Sequence, residues 1–306
     1  MKSTLISIAA VAILLQGCAV GQQRTFLSQA ERENIKRVEL YNLVIQDEVR
    51  PAVEISNVSG AMGGGLIPAL IDSSINKGRS VSAQDIIEPL YLATDSLDYR
   101  ALLAKEVNTS TSSIYTLKEK KDLAEARLLS DPELKEKIKQ LSDGEYLLYI
   151  SSFYGLMENS KSFNSETVAM VFKKPAASAS TARPKPIYFN RLNYVSGPVG
   201  NGGADSIALW AKNNGEAFTK TLNESAYETA QQLKYDLQNS MEFECGKNVS
   251  AEVFGFNGVK MKNASVLVEQ KSERAIVRNI GNGALYSIPG TPEAAKSATK
   301  KCKSNG

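Results

Sequence analysis

The sequence predicts an α+β fold, with helices packed on a mostly antiparallel or mixed sheet. Apolar residues recur at helical spacing between residues 82 and 141 and again over Glu216 to Asn239. Short apolar or alternating runs between residues 146 and 195, and between 249 and 288, are typical of strands. Apolar residues make up 42% of the chain and charged residues 23%, as in a globular protein with a real core.

The amino-terminal half is expected to contain two strands and four helices. The strands cover 35–45 and 52–56 and flank a turn at Pro51. The helices begin at a capping box (82–85), at a cap on Asp98, near residue 117, and at Asp131 with proline in the first turn. The helix from Asp98 should end near Val107, before the polar run 108–113, and the next should cover 117–129. The expected buried positions are Ile86, Leu90, Ala93, Leu97, Leu134, Ile138 and Leu141.

The carboxyl-terminal half is expected to be richer in strands. Residues 146–154 and 166–173 predict an antiparallel hairpin connected by 155–165. An exposed Pro/Ala/Ser-rich loop (174–186) and a strand (187–195) should follow. The long helix over Glu216 to Asn239 comes next, and Trp210 ahead of it is expected to be a core anchor. Four strands complete the chain, at 249–256, 264–269, 274–279 and 285–288, with Asn257-Gly258 as a hairpin turn.

The first residues have the form of a bacterial export signal. A positive start is followed by the apolar run Leu5 to Leu15, which is shorter than the roughly 20 residues needed to span a bilayer. The run ends in Leu15-Gln16-Gly17-Cys18, which resembles the lipobox of bacterial lipoproteins. The resemblance implies cleavage before Cys18, attachment of a diacylglycerol to its thiol and acylation of the new amino group, with chains such as palmitate. The alternative is an ordinary signal peptide with an incidental cysteine.

This resemblance implies a location and a division of the chain. Ala19 replaces the aspartate that would indicate inner-membrane retention, so an outer-membrane anchor with a periplasm-facing domain is expected. Residues 1–17 are the expected signal peptide and 18–32 the lipidated amino terminus and tether. Residues 33–306 are the expected periplasmic α+β domain, with a possible subdivision near residue 142.

The mature chain carries a second, looser resemblance. A glycine-rich approach to a helix, the strand after Gly144, the extended stretch IYFNRLNYVS and the approach to the long helix through Trp210 resemble poorly characterised α+β lipoproteins of Gram-negative envelopes. The resemblance implies a periplasmic domain of sheet and helices, and it carries no catalytic residues to transfer.

Cys245 and Cys302 remain once Cys18 is lipidated. Two thiols in an oxidising periplasm predict a disulfide, the alternative being two separate buried thiols. In the chain-entropy model a crosslink closing a loop of this length contributes about 4 kcal/mol.

Composition excludes several kinds of chemistry. The chain has no histidine, which removes Ser-His-Asp and Cys-His catalysis and H-E-x-x-H zinc sites. Its formal net charge of +3 predicts no strong overall field for nucleic acid or for an anionic surface. No catalytic residue, metal site or cofactor is predicted. Asp143, Glu145 and Glu166 are the carboxylates that could converge for glycan hydrolysis, with chance proximity in sequence as the alternative.

The stretch SGAMGGGLIPALIDSSINKG combines backbone freedom with apolar side chains. It lacks the Gly-Lys-Ser/Thr of a phosphate loop, and it is too short and too polar, with Asp72, to be a membrane span. A mobile loop leading into a helix is one interpretation, and a flap exposed to a partner is the other. The candidate partner-contact residues are Gly60, Met62, Gly63, Gly64, Gly65, Leu66 and Ile67.

These features favour a non-enzymatic outer-membrane lipoprotein. Its periplasmic domain is expected to bind or position another envelope component, such as part of a secretion, export or wall-synthesis assembly. One alternative is a binder of glycans or small molecules that uses the tyrosines around Tyr146 to Tyr154. The other is an envelope hydrolase that uses carboxylates.

Overall fold

The computed structural model describes residues 24–46, 48–49, 85–118, 129–157, 159–175, 184–239, 247–254 and 260–294. The helices are α1 (Gln29–Asn34), α2 (85–93), α3 (Tyr99–Ser112), α4 (Asp131–Lys139) and α5 (Gly203–Gln238). The strands are β1 (Arg37–Val44), β2 (Thr116–Leu117), β3 (Glu145–Met157), β4 (Ser162–Lys173), β5 (Tyr188–Val195), β6 (Asn248–Phe254), β7 (Lys260–Gln270), β8 (Arg274–Asn279), β9 (Leu285–Pro289) and β10 (Glu293–Ala294).

One mixed sheet of ten strands runs in the order β10-β6-β7-β8-β9-β5-β4-β3-β1-β2, which confirms the α+β class. Strand β1 is parallel to β3 and β5 is parallel to β9, while β4 is antiparallel to both β3 and β5. Strands β1, β3, β5 and β9 therefore all run in one direction. We call the side of the sheet where these four strands begin the N-edge, and the opposite side, where they end, the C-edge. Neither term refers to the outermost strands, β10 and β2. The sheet continues across residue 142, because β1 and β2, which precede it, belong to the same sheet as β3.

Both faces of the sheet are covered. The main core lies under α2, α3 and α5 and includes Leu103, Ile150, Phe163 and Leu222. On the other face, α4 packs its apolar side on β1, β3 and β4. Its predicted buried residues, Leu134, Ile138 and Leu141, contact Tyr41, Leu147 and Phe172 in one cluster. A third cluster joins β6 to β8 and β9.

The hairpin of β3 and β4 is longer than predicted. Its connection is 158–161 instead of 155–165, because Gly155 pairs with Asn164 inside the ladder. Small polar residues indicated a loop, but here they are buried strand residues. Ser165 Oγ lies 2.8 Å from Ser225 Oγ on α5, so its hydroxyl is satisfied within the core.

Three other elements differ from the expectation. Helix α3 continues through the polar run to Ser112, where Thr109 Oγ1 donates back to the Lys105 carbonyl at 2.9 Å. Residue 117, the expected start of the helix over 117–129, is in strand β2, and residues 119–128 lie outside the described ranges. On α2, Leu90 is buried as expected, but Ile87 is buried in place of Ile86, which is 39% exposed. The side of the helix that faces the core therefore includes the residue after the predicted one.

The helix predicted over Glu216 to Asn239 forms the second part of α5. A break precedes it, where Asn213, Asn214 and Gly215 have φ values of 53°, 56° and 72°. Trp210 lies before the break and is the expected core anchor: it is 1% exposed and its Nε1 donates to the Ser160 carbonyl at 2.8 Å.

The chain enters the fold earlier than the expected tether boundary at residue 32. The N–H and carbonyl of Thr25 each bond to the Phe189 backbone at 2.9 Å, at the start of β5. Strand β9 pairs with β5 only over Leu192–Tyr194, so this amino-terminal strap (residues 24–27) fills the place beside the first residues of β5. Leu27 is 1% exposed, which fixes the strap to the core.

We expect Gly215→Ala to destabilise the fold by about 1–3 kcal/mol more than Gly290→Ala does. Both glycines have φ +72°, but a Cβ at Gly215 would lie 2.6 Å from Thr94 Cγ2, whereas a Cβ at Gly290 meets nothing within 4 Å. Denaturant unfolding of both variants measures the difference. Equal losses would show that the α5 break does not pack tightly on α2.

Candidate functional site

The site residues predicted from the sequence fall outside the described ranges. These are the predicted lipidation residue Cys18, the cysteine pair Cys245 and Cys302, and the candidate contact residues Gly60, Met62, Gly63, Gly64, Gly65, Leu66 and Ile67. What the structure gives is the position of the residues that flank them.

The described residues on either side of the predicted contact segment (residues 50–84) lie at the C-edge of the sheet. Before it, Val49 is 5% exposed and follows β1, which ends at this edge. After it, α2 packs its Ile87 and Leu90 into the main core. The Tyr91 hydroxyl of α2 donates to the Val49 carbonyl at 2.9 Å, so the two flanks are joined directly. Residues 50–84 therefore leave and re-enter the described structure at neighbouring points.

The three carboxylates that the sequence analysis suggested for glycan hydrolysis do not form a catalytic pair. Glu145 begins β3, whereas Glu166 lies opposite Phe153, eight residues further along that strand. At 3.3 Å per residue this is about 26 Å, well beyond the 5–10 Å that separates the two carboxyl groups of glycosidases. Asp143 is 97% exposed and pairs with Lys174 at 3.1 Å. The hydrolase alternative therefore has no pair in these three residues.

Glu145 has a structural role at the N-edge. Its side chain is 4% exposed, accepts from the Ser142 backbone N–H at 2.9 Å and pairs with Lys118 at 3.0 Å. The Ser142 N–H bond first, and then the Lys118 bond, hold the pKa of Glu145 below its ordinary value. This carboxylate is fixed as an anion that joins the start of β3 to the end of β2.

The pKa of Glu166 is shifted in the opposite direction from that of Glu145. Burial raises its pKa, and the opposing effect of Arg191, 3.9 Å away, does not cancel that rise. Carboxyls with raised pKa values occur at functional sites. Here the neighbour is a single arginine on the next strand, and the geometry brings no second carboxylate from the predicted set.

The tyrosines proposed for ligand stacking are packed inside the protein. Tyr146, Tyr149 and Tyr154 are each 4% exposed. Tyr154 lies 4.5 Å, between ring centroids, from Tyr99, and Tyr149 stacks on Tyr41 at 5.1 Å. All three are buried, and the rings of Tyr149 and Tyr154 contact other core rings, which removes these tyrosines as a stacking platform.

A polar seam, which sequence reasoning missed, joins α5 to the sheet. Glu224, Glu228, Gln232 and Asp236 recur every four residues and so lie on one side of the helix. Glu224 pairs with Arg274 at 3.6 Å, and Glu228 with Lys271 at 2.6 Å. Gln232 donates to the Asn193 carbonyl at 3.1 Å. The four-residue spacing was a readable signal, but its buried partners are distant in sequence.

Asp236 is the most buried acidic residue of this seam. Its Oδ1 accepts from Arg24 at 2.6 Å and from Arg278 at 2.8 Å, and its Oδ2 accepts from the Tyr188 hydroxyl at 2.8 Å and from Asn190 at 2.6 Å. Burial, and then the Asp236 carboxylate, raise the pKa of Tyr188, which keeps its hydroxyl protonated as a donor. Four donors converge on one carboxylate, an arrangement that fixes structure.

A cleft of about 280 Å³ opens at the C-edge. It lies where β5 and β9 end and where β4 begins, next to β6 and β7. Lys262 and Glu293, which are 3.3 Å apart, flank its charged side. Its lining includes Ser162, Ser196, Ser250, Ile288, Thr291 and Glu293.

Comparison with protein-family models, with curated proteins and with solved structures finds no match to this chain. Within the described residues, no group of three or more Cys, Asp or Glu side chains is placed to hold a metal ion. The described helices include none with the length and apolarity required to cross a bilayer.

Glu145→Gln should lower the free energy of unfolding by about 1–3 kcal/mol at pH 7, because it removes charged hydrogen bonds. A lowered folded-state pKa gives stability that is present above the ordinary value of 4.5 and is lost as the pH falls below it. The difference between Glu145→Gln and wild type should therefore shrink below that pH. Asp143→Asn, at the exposed neighbour, should show neither effect. Urea unfolding from pH 3 to pH 7 measures both, and a pH-independent difference would contradict the ionic role of Glu145.

Asp236→Asn should cost about 3–5 kcal/mol, because it leaves Arg24 and Arg278 buried without the carboxylate between them. Glu224→Gln is the matched control on the same side of α5. Glu224 is 37% exposed, so its loss should cost about 1 kcal/mol or less. Denaturant unfolding compares the two variants. Equal, small losses would mean that Asp236 does not fasten the strap.

Proposed function

We propose that this chain is an outer-membrane lipoprotein whose periplasmic domain binds or positions another envelope component. The lipid on Cys18 holds it to the membrane, and the segment containing Gly60 to Ile67 contacts the partner. The observation that carries the proposal is the opposite placement of the two functional ends. The strap that follows Cys18 lies at the N-edge, while the contact segment is rooted at the C-edge.

The anchor is supported by the first eighteen residues. An apolar run too short to span a bilayer, followed by Leu-Gln-Gly-Cys, matches an export signal with a lipobox. Several acyl chains on one residue bind a membrane stably, which a single chain does not. Ala19 in place of aspartate favours the outer membrane.

The binding role is supported by how the segment is attached. Its flanks are joined by the Tyr91–Val49 hydrogen bond, and α2 after it packs in the main core, so the two ends of the segment are held by described residues. A long connection between two packed elements is typical of functional insertions. Its apolar side chains and glycines suit contact with a protein surface.

The disulfide remains part of the proposal. Strand β10 pairs antiparallel with β6, with Ala294 opposite Val249. The chain therefore leaves β10 toward the residues that precede β6, which include Cys245. A bond from Cys245 to Cys302 would fasten the carboxyl terminus beside β6.

A second candidate function is the binding of a glycan or small molecule. The cleft at the C-edge favours it, since small hydroxyls lie beside the ion pair of Lys262 with Glu293. The buried tyrosines give this alternative no support.

Two measurements test the proposal. Intact-mass analysis of the protein from Gram-negative envelopes should show a triacylated Cys18 as the first residue and a mass lower by two hydrogens for the Cys245–Cys302 bond. A photocrosslinking residue in place of Leu66 should then capture one discrete envelope component, whereas the same residue in place of Tyr227, which is 49% exposed on α5, should not.

The control variant replaces residues 52–82 with a short Gly/Ser linker. It should keep the unfolding transition of the wild type, because the flanks are held by Tyr91 and Val49, and lose the crosslinked partner. An unmodified Cys18 would overturn the anchor. Equal capture from Leu66 and Tyr227 positions would overturn the contact segment.

A further inference from the structure

The strap fixes how far the fold can lie from its lipid. Arg24 is six residues after Cys18, and an extended chain covers at most about 3.6 Å per residue, or roughly 20 Å. Arg24 itself cannot be drawn out freely, because its guanidinium is buried against Asp236 at 2.6 Å. The N-edge is therefore held within roughly 20 Å of the acylated residue. This reach is shorter than the thickness of a small domain.

Exposed apolar side chains lie at that edge. Phe26 is 41% exposed and lies in the strap, with the Arg24 guanidinium 4.8 Å from its ring centroid. Ile280 is 43% exposed and lies in the turn between β8 and β9. The Arg24 N–H donates to the Asn282 carbonyl of that turn at 3.3 Å, so the strap and the turn are neighbours.

Basic side chains also gather along the N-edge. Strand β1 begins there, β4 ends there and β5 begins there, and each brings lysine or arginine to the edge. The basic residues are Arg32, Lys36, Arg37, Lys118, Lys173, Lys174 and Lys185. The acidic residues at the same ends of these elements and in their connections are Glu31, Glu33, Glu39, Asp143 and Glu145, and Glu39 lies 3.8 Å from Lys118. Positive charge is in excess, which suits an anionic surface.

We propose that the N-edge docks on the anionic phospholipid surface that holds the acyl chains, with Phe26 and Ile280 at the lipid interface and the lysines at the headgroups. The inference rests on the lipid anchor of the proposed function. Docking turns the C-edge, with the cleft and the contact segment, away from the membrane. Exposed aromatic and aliphatic side chains near basic ones are the chemistry that binds a membrane interface.

Quenching by brominated phospholipid tests the docked orientation. The lipidated full chain is reconstituted in phosphatidylethanolamine–phosphatidylglycerol vesicles as the variants Phe26→Trp, Ile280→Trp and Leu92→Trp. Leu92, 74% exposed on α2 near the C-edge, is the control. The first two variants should lose tryptophan emission. Leu92→Trp should match the wild type, whose Trp210 is buried in the core.

A charge pair tests the role of the lysines. Both pairs of substitutions are made in the Ile280→Trp protein. Lys173→Gln with Lys185→Gln should reduce the ratio of docked to undocked domain by about fivefold for each lysine. Lys212→Gln with Lys220→Gln on α5 should leave this ratio unchanged. Both pairs remove two exposed lysines. If neither pair of substitutions changes the quenching of the tryptophan at position 280, the electrostatic part of the proposal is overturned.

Mass analysis before reconstitution separates the possible failures. A Cys18 without lipid overturns the anchor and this inference together. A lipidated Cys18 with no quenching at positions 26 and 280, or with equal quenching at position 92, overturns the docked orientation alone. A photocrosslinker at Ile280 that captures a protein in place of lipid also overturns it.

Discussion

The carboxylate of Asp236 is the constraint on which the rest of the structure depends. It lies near the end of α5 and receives Arg24 from the strap, Arg278 from β8, and Tyr188 and Asn190 from β5. A buried charge is tolerated only when it is paired and hydrogen-bonded, so these four elements must meet at one point. Once they do, Arg24, the first described residue of the chain, is fixed at the N-edge, directly beside the turn between β8 and β9.

The direction of α5 extends this constraint across the molecule. Phe218 packs on Phe163 near the C-edge, and the helix then descends through Glu224, Glu228 and Gln232 to Asp236 at the N-edge. The helix thus spans the sheet between the proposed anchor and the cleft. If Cys18 is lipidated as proposed, a pull on the lipid would reach the sheet through buried ion pairs, while Val49 and Tyr91, which flank the proposed contact segment, lie at the far end of the sheet.

Local signals predicted much of this fold and little of the geometry of the site. Short stretches of sequence were enough to predict α4 from Leu134 and Ile138, the strand β5 and the helix after Gly215. Each of these elements is recognised from the apolar residues on one of its own sides, without knowledge of its partners. The strap was expected as a tether, since nothing near Arg24 reveals a partner at Asp236, 212 residues away. Ser165 and Asn164 indicated a loop for the same reason: polar residues look solvated until the hydroxyl or amide that satisfies them is known.

In the proposed lipoprotein, the shortness of the link between the lipid and the fold limits the orientations that the domain can adopt. A long flexible tether lets a domain search a large volume and approach partners in any orientation, with a low effective concentration of any one of them. Under the proposed lipidation, the five residues between Cys18 and the buried Arg24 give the opposite regime, in which the domain has few orientations and one end is held at the membrane. The excess of lysine and arginine at that end would lower the electrostatic energy of an orientation that the tether alone only restricts. A partner would then meet the C-edge first, and the segment and cleft at that edge are the surfaces it would encounter.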